Sequence, residues 1–326
     1  MKYSVPFGLI AVGALVLTGC TTTAPTESAG GGEGGNNLEL VLGRLGDPFT
    51  AQIACGAEAA AEEAGYEIYV SGPGVWSASD QLPFVNAAIA KNPDVLIIEA
   101  TDTSALNEPL KQFHDSGRPV ITVDSGIDQD FPFAAIGSDN YAGGFQAGEA
   151  YAEAVGGEGV LLIINVAPGI GVTDERQKGF EDAIAEHPGI TYLGTEFAGD
   201  DPTKVSEIIN SKKAANPGLN GVFATATLVG EAAGAVAKNE GLEDIFFIAF
   251  DASPQEADLV RDGALDALVV QQPRLMGELS IEAAIAALEG AEFTGEPVVD
   301  FVTITADNIE DPEFSKLIYS TECSAG

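Results

Sequence analysis

The chain has 326 residues and a formal charge of −36 at pH 7, because 50 Asp and Glu residues outnumber 14 Lys and Arg residues. Nucleic acid is therefore a poor partner, since phosphate groups are bound by clustered Lys and Arg. Hydrophobic residues make up 45% of the chain, which is ample material for folded cores.

The first twenty residues have the order of a bacterial export signal. Lys2 precedes an apolar run from Val5 to Leu17, which is too short for a permanent span of about 20 residues. The following Leu17-Thr18-Gly19-Cys20 resembles the lipobox of bacterial lipoproteins. This resemblance implies a signal peptide at 1–19, acylation of Cys20, and anchoring at the extracytoplasmic face of the cell membrane, either periplasmic or on the cell surface. A secreted protein with a chance Cys is the alternative.

Residues 20–37 consist mostly of Thr, Ser, Gly, Glu and Asn. This composition predicts a lipidated, flexible tether that cannot bury a core. Roughly 290 residues follow it, which is more than one typical domain of about 150 residues and allows two lobes.

Beyond the tether, short apolar runs alternate with longer segments whose apolar residues recur at helical spacing. The predicted strands are 38–42, 68–70, 95–98, 120–123, 134–136, 160–166, 190–193, 221–225, 245–250 and 265–271. The predicted helices are 49–64, 81–90, 106–116, 176–186, 204–215, 230–239 and 255–262. Unbroken apolar strands are typical of parallel sheets covered by helices. The pattern restarts near residue 160, so we predict an α/β fold with two doubly wound parallel-sheet lobes.

Short motifs follow several of these strands. They are Asp47-Pro48-Phe49, Thr122-Val123-Asp124, Ser138-Asp139-Asn140 with Gly143-Gly144, Arg176-x-x-Gly179-Phe180, Phe250-Asp251 and Gln271-x-Pro273. In this order and spacing, the series resembles type I periplasmic sugar-binding proteins of the ribose- and galactose-binding group.

The resemblance implies a periplasmic binding protein-like I fold with a three-crossing hinge. The crossings would lie near 138–139, 271–272 and 300–301. Lobe one would comprise 38–138 plus 272–300, and lobe two 139–271 plus 301–310. Residues 311–326 would form a C-terminal tail.

The resemblance also implies a sugar site in the cleft between the lobes. Sugar hydroxyls both donate and accept hydrogen bonds, so carboxylates and guanidinium groups suit them. The implied ligand contacts are Asp47, Phe49, Asp124, Arg176, Asp251 and Gln271. Asp47 could instead be only a helix N-cap, Phe49 a core residue, and Arg176 a surface or helix-start residue.

Glu99, at the end of the third strand, and Trp76, on the loop after the second strand, are two further candidate contacts. Glu99 stands where relatives carry Asn, so it could bind a hydroxyl or an amine, or face solvent. Trp76 is the single Trp of the chain, and its ring could stack on a sugar or pack within its own loop. Ser125 stands where the family often has a basic residue, which leaves the hydroxyl pattern open.

Cys55 and Cys323 remain once Cys20 is assigned to lipid. In an oxidising compartment the two thiols can form a disulfide, and two buried free thiols are the alternative. A bond would tie the C-terminal tail to the first helix.

The sequence lacks the usual enzyme motifs. It has no Gly-x-x-x-x-Gly-Lys and no Gly-x-Ser-x-Gly, and Gly169-x-Gly171-x-x-Asp174 lacks the third glycine of a dinucleotide fingerprint. His114 and His187 are the only histidines. We therefore expect no catalytic residues, no cofactor and no metal.

These observations predict a substrate-binding lipoprotein of an ABC importer. It would bind a monosaccharide or related polyol by hinge closure and would dock, as a monomer, on a membrane permease. There are two alternatives. One is a sugar sensor on the same scaffold that signals through a receptor, and the other is a surface carbohydrate-active enzyme.

Overall fold

The computed structural model describes residues 37–199 and 201–323. The predicted signal peptide and the lipidation site Cys20 lie outside the described residues, as does the predicted tether except Asn37. In the described part of the chain, no helix is long and apolar enough to cross a membrane.

Five parallel strands form the first sheet. They are β1 (Asn37–Val41), β2 (Glu67–Ser71), β3 (Val95–Ile98), β4 (Val120–Val123) and β5 (Ala134–Ile136). The strand order is β2-β1-β3-β4-β5. Every residue of β3 and β4 is buried, which is typical of strands covered by helices on both faces.

Six strands form the second sheet. They are β6 (Glu158–Asn165), β7 (Gly189–Phe197), β8 (Gly221–Ala224), β9 (Phe246–Phe250), β10 (Ala267–Val270) and β11 (Val302–Thr305). The order is β11-β10-β9-β8-β6-β7. All pairs are parallel except β10 with the edge strand β11, which is antiparallel.

Helices connect the strands and cover both sheets. They are α1 (Pro48–Ala64), α2 (Ala78–Ala90), α3 (Asn107–Asp115), α4 (Asn140–Ala154), α5 (Gly171–Ala185), α6 (Pro202–Ala215), α7 (Thr227–Glu240), α8 (Pro254–Arg261), α9 (Pro273–Glu289) and α10 (Pro312–Ser315). Around the first sheet, Leu38 and Leu40 pack with residues of α1 and α9, while Leu96 and Ile98 pack on the opposite face.

The local sequence explains where α1 begins and ends. Asp47 is its N-cap, and the Asp47 side chain accepts hydrogen bonds from the backbone N–H groups of Phe49 and Thr50. Pro48 occupies the first turn, where its missing N–H costs nothing. Gly65 ends the helix in the left-handed conformation, with φ of 78°.

The chain passes three times between the layers of the two sheets. It leaves β5 for α4, which packs on α5; it leaves β10 for α9, which packs on α1; and it returns from α9 to β11. The passages lie beside one another, because Gly137 N–H donates to Pro297 O at 2.9 Å and Val299 N–H donates to Gly137 O at 2.8 Å. Gln272 Nε2 likewise donates to Asp300 O at 2.9 Å.

The α/β fold with two largely parallel sheets confirms the predicted fold class. The lobe boundaries that the resemblance implies stay a prediction. One correction concerns the tether, because its predicted last residue, Asn37, pairs with Glu67 in the first sheet. A second concerns the helix predicted at 176–186, which begins five residues earlier at Gly171.

Cys55 and Cys323 form a disulfide, which excludes the alternative of two free thiols. Cys55 lies on the buried face of α1. The C-terminal tail therefore returns to the first helix, as the predicted bond requires.

Candidate functional site

All eight residues predicted to contact a ligand line one cavity of about 280 Å³ between the carboxyl ends of the two sheets. They are Asp47, Phe49, Trp76, Glu99, Asp124, Arg176, Asp251 and Gln271. Parallel strands direct their following loops to one edge of a sheet, so side chains far apart in sequence converge there. The structure thus brings the set together, while its role in binding stays a prediction.

Asp47 and Phe49 enter the cavity from the start of α1. Asp47 is both the helix N-cap and a lining residue, so the two interpretations of this residue do not exclude each other. Burial raises the pKa of Asp47, opposed by its hydrogen bond from the backbone of Phe49. The Phe49 ring packs edge-on against Tyr319, with 5.6 Å between ring centroids, and also touches the cores of both sheets.

Glu99 is fully buried directly after β3, so the interpretation that it faces solvent is wrong. Its Oε2 accepts a hydrogen bond from the backbone N–H of Gly43 at 2.6 Å. Its Oε1 has no hydrogen-bond partner among the residues that the structure describes. Burial, reinforced by the nearby Asp124, raises the pKa of Glu99 well above its usual value, so this side chain holds a proton under conditions where an exposed Glu is charged.

Asp124 ends β4 in the left-handed conformation, with φ of 59°. Burial raises its pKa to about 6, although the positive charge of Arg176 acts in the opposite direction. Asp251 takes the corresponding place after β9, with φ of 80°. Non-glycine residues rarely adopt this backbone, and such strain is found most often at functional sites.

Arg176 lies in the second turn of α5 and is only 4% exposed, so the surface and helix-start interpretations are wrong. Its Nε donates to Asn140 Oδ1 at 2.8 Å and its Nη1 donates to the backbone O of Thr225 at 3.0 Å. The guanidinium lies over the Phe250 ring at 4.2 Å from the centroid. These contacts hold the charged group rigidly at the cavity wall.

Asp251 is the centre of a hydrogen-bond network. Its Oδ2 accepts from Thr227 Oγ1 at 2.9 Å, and its Oδ1 accepts from Gln271 Nε2 at 2.9 Å and from the hydroxyl of Tyr319 at 3.2 Å. The amide oxygen Oε1 of Gln271 is buried and has no partner in the described part of the chain. It is available as an acceptor for a ligand.

Trp76 lies on the loop after β2 and keeps 39% of its surface exposed. Its ring lies close over Gly43, where an added Cβ would come within 2.5 Å of a ring carbon. Apolar side chains complete the lining, namely Val166, Ile170, Val172 and Leu228. The cavity thus combines charged groups with apolar surface, as small-molecule sites usually do.

Sequence reasoning missed several residues of the site. Arg44 and Thr227 line the cavity, and Tyr319 supports it from behind through Asp251 and Phe49. The scarcity of basic residues could have drawn attention to Arg44, which lies three residues before Asp47. Among the described residues, no group of three or more His, Cys, Asp or Glu side chains could hold a metal ion.

Two layered α/β sheets with a polar cavity at their carboxyl ends define a small-molecule binder of the cleft type. Residues 38–292 match the family model of the periplasmic binding protein domain, so the chain belongs to that family. The resemblance noted in the motifs is thereby confirmed.

Known proteins of this family are similar over most of the chain. The ribose import binding protein of Bacillus subtilis is 29% identical over 287 residues, which cover 86% of this chain and 92% of that protein. A solute-binding protein of an ABC transporter from Agrobacterium vitis, solved with α-D-tagatopyranose, is 35% identical with a TM-score of 0.82, covering 87% of this chain and 99% of that one. A carbohydrate transporter solute-binding protein from Agrobacterium radiobacter, solved with D-arabinose, is 27% identical with a TM-score of 0.79, covering 86% and 98%.

Proposed function

We propose that the chain is the extracytoplasmic substrate-binding lipoprotein of an ABC importer and that its cavity binds a monosaccharide or a related polyol. The observation that carries the proposal is the convergence of carboxyl groups and one buried guanidinium from opposite walls of a single cavity. The names of the relatives, which concern ribose, tagatose and arabinose, support the same class of ligand.

The chemistry of the lining suits a polyhydroxylated ligand. Each buried hydroxyl needs a partner, because an unsatisfied polar group costs about 1–3 kcal/mol. Asp47, Asp124 and Arg176 offer charge-assisted hydrogen bonds, which are roughly twice as strong as neutral ones. Phe49 and Trp76 offer ring faces against which the C–H surface of a sugar can pack.

The size of the cavity limits the ligand. A volume of about 280 Å³ lies just below the usual range of small-molecule sites, about 300–1,000 Å³. This size favours one sugar unit over an oligosaccharide.

Binding would proceed by closure of two lobes about the three neighbouring passages. Lobe one, 38–138 plus 272–300, contributes Asp47, Glu99 and Asp124. Lobe two, 139–271 plus 301–310, contributes Arg176 and Asp251. The closed form is favoured when the ligand contacts both lobes at once, because only that form makes all the contacts. The closed protein, anchored through Cys20 and monomeric, would then deliver its ligand to a membrane permease.

A thermal-shift screen tests the proposal. The purified protein is melted alone and with D-ribose, D-arabinose, D-tagatose or xylitol, and a ligand of the native state raises the melting temperature. We expect at least one of these compounds to do so and to be recovered unchanged after prolonged incubation. If no compound in a panel of pentoses, hexoses and polyols raises the melting temperature, the proposal is contradicted. Chemical conversion of the added sugar would instead point to an enzyme.

A further inference from the structure

The C-terminal tail contacts the layers of both sheets. At its inner end, Tyr319 is buried in the core of the second sheet. The backbone N–H of Tyr319 donates to Ala252 O at 2.8 Å, just beyond β9. Phe314, Leu317 and Ile318 pack against the same core. This part of the tail therefore belongs structurally to the second sheet.

The outer end of the tail is attached to α1, which packs on the first sheet. Gln52 Nε2 donates to Ser320 O at 2.6 Å, and Cys323 is bonded covalently to Cys55. Both Gln52 and Cys55 lie on α1. The tail thus forms a fourth connection between the two layers, and the Cys55–Cys323 disulfide makes this connection covalent.

This connection is short. Cys323 is four residues beyond Tyr319, and four residues span at most about 14 Å when fully extended. The disulfide adds 5.3 Å between the Cα atoms of Cys323 and Cys55. A hinge motion that moves Cys55 away from Tyr319 by more than these two lengths together must pull Tyr319 out of its buried position. Among the described residues, no disulfide constrains the three other passages between the layers.

Tyr319 also supports the candidate site. Its hydroxyl donates to Asp251 Oδ1 at 3.2 Å and lies 3.4 Å from the backbone O of Gln271. Its ring meets Phe49 of α1 edge-on. Burial and the charge of Asp251 raise the pKa of Tyr319 well above its usual value. One side chain thus contacts lining residues from both walls of the cavity.

We propose that residues 319–323 form a covalent strap that limits hinge opening and that Tyr319 is a positioning residue for Asp251 and Phe49. The inference rests on the two-lobe closure of the proposed function. The strap would keep the ligand-free protein partly preorganised for binding. Because it restricts the range of open states, the protein would lose less conformational entropy when it closes on a ligand.

Small-angle X-ray scattering of the ligand-free protein tests the strap without any ligand. The Cys55→Ser/Cys323→Ser double variant removes the covalent closure, so its radius of gyration and maximum dimension should exceed those of the wild type. A role in stability alone would lower the melting temperature but leave these dimensions unchanged. Equal dimensions in the folded variant and the wild type would overturn the strap.

Substitutions of Tyr319 provide a matched pair. Tyr319→Ala removes the inner attachment while the disulfide remains, and it should also enlarge the ligand-free protein. Tyr319→Phe keeps the ring and the backbone hydrogen bond, so it should leave the dimensions unchanged. If Tyr319→Ala fails to fold, as judged by circular dichroism, the disulfide variant still decides the question.

The positioning role has its own readout. Tyr319→Phe removes the hydroxyl from Asp251 and should weaken binding of the best sugar of the panel about three- to tenfold. Unchanged affinity would remove Tyr319 from the site. If no panel sugar binds the wild type, the proposed function fails, whereas the scattering comparison still decides the strap.

Discussion

Arg176 Nη1 lies 3.8 Å from Asp251 Oδ2, and the two side chains are only 5% and 8% exposed. The pair joins α5 to the loop after β9, so it fixes two charged groups of the cavity relative to each other. Removing one partner of a buried ion pair leaves the other charge uncompensated, which commonly costs about 3–5 kcal/mol of stability. The pair therefore matters for folding as well as for the site.

Arg176→Ala should weaken sugar binding by about 1.5–3 kcal/mol, as expected for loss of a hydrogen bond to a charged group. Isothermal titration calorimetry with the best sugar of the panel measures this change. Lys178→Ala is the control, since Lys178 lies on the same helix but is exposed, where it contacts Asp182 and the Tyr141 ring. Wild-type affinity in Arg176→Ala would show that this side chain is not a ligand contact.

The close packing of α4 on α5 positions the Arg176 backbone. An added Cβ at Gly144 would lie 2.0 Å from Arg176 O, so Gly144→Ala should push the helices apart, destabilise the protein by about 1–3 kcal/mol and weaken binding. Gly171→Ala on α5 is the matched control, because its added Cβ would meet nothing within 4 Å. Urea unfolding and calorimetry of both variants test this prediction, and equal behaviour would contradict it.

The raised pKa of Asp124 predicts a particular pH dependence of stability. In the folded protein this carboxyl keeps its proton up to pH about 6, whereas in the unfolded chain it loses the proton near its usual pKa of 3.8. Between these values the folded state binds more protons, so stability falls as pH rises. Asp124→Asn removes this penalty, and the ligand-free variant should therefore become more stable than the wild type as pH rises from 4 to 7.

The gain at pH 7 should be about 3 kcal/mol, because the pKa rises from 3.8 to about 6 on folding and one pKa unit corresponds to about 1.4 kcal/mol, and it should become small near pH 4. Glu99→Gln should act in the same direction, because the pKa of Glu99 is also raised by burial and an amide oxygen can still accept from Gly43. Urea unfolding at several pH values measures the effect, with the exposed Asp130→Asn as control. A gain that is independent of pH would refute the titration of these carboxyl groups.

Trp76 offers an optical signal, since it is the only Trp of the chain and lines the cavity. Binding should change its emission, and Trp76→Ala should lose about 0.5–1.5 kcal/mol of affinity. Gly43→Ala should displace the ring, because the new Cβ would lie too close to it, whereas the added Cβ of Gly74→Ala, on the loop that carries Trp76, meets nothing within 4 Å. If Trp76 emission does not change when the sugar binds, the Trp76 ring does not contact the ligand.

The sequence was informative where local chemistry decides the structure. Unbroken apolar runs revealed strands such as β3 and β4, and polar residues directly after strands, such as Asp124 and Asp251, pointed to the cavity. Parallel strands end at a common edge, which predicts where a site would lie, whereas the choice of Asp124 and Asp251 as ligand contacts came from the resemblance to the sugar-binding family.

Other features depend on tertiary contacts and were missed. Helix α4 buries Gly143, Gly144, Ala147 and Gly148, and these small residues give little helical periodicity of hydrophobicity. Strand β11 is short and joins the sheet edge antiparallel to β10. Tyr319 meets Asp251 across 68 residues of sequence, a distance over which no local pattern operates.

The crystal structure of the protein with the best sugar of the panel tests the central claim most directly. We predict one sugar ring in the cavity, with hydroxyls bonded to Asp47 or Asp124 on one wall and to Arg176 or Asp251 on the other. A sugar bound elsewhere, or held by residues of only one wall, would contradict closure of two lobes over a single ligand.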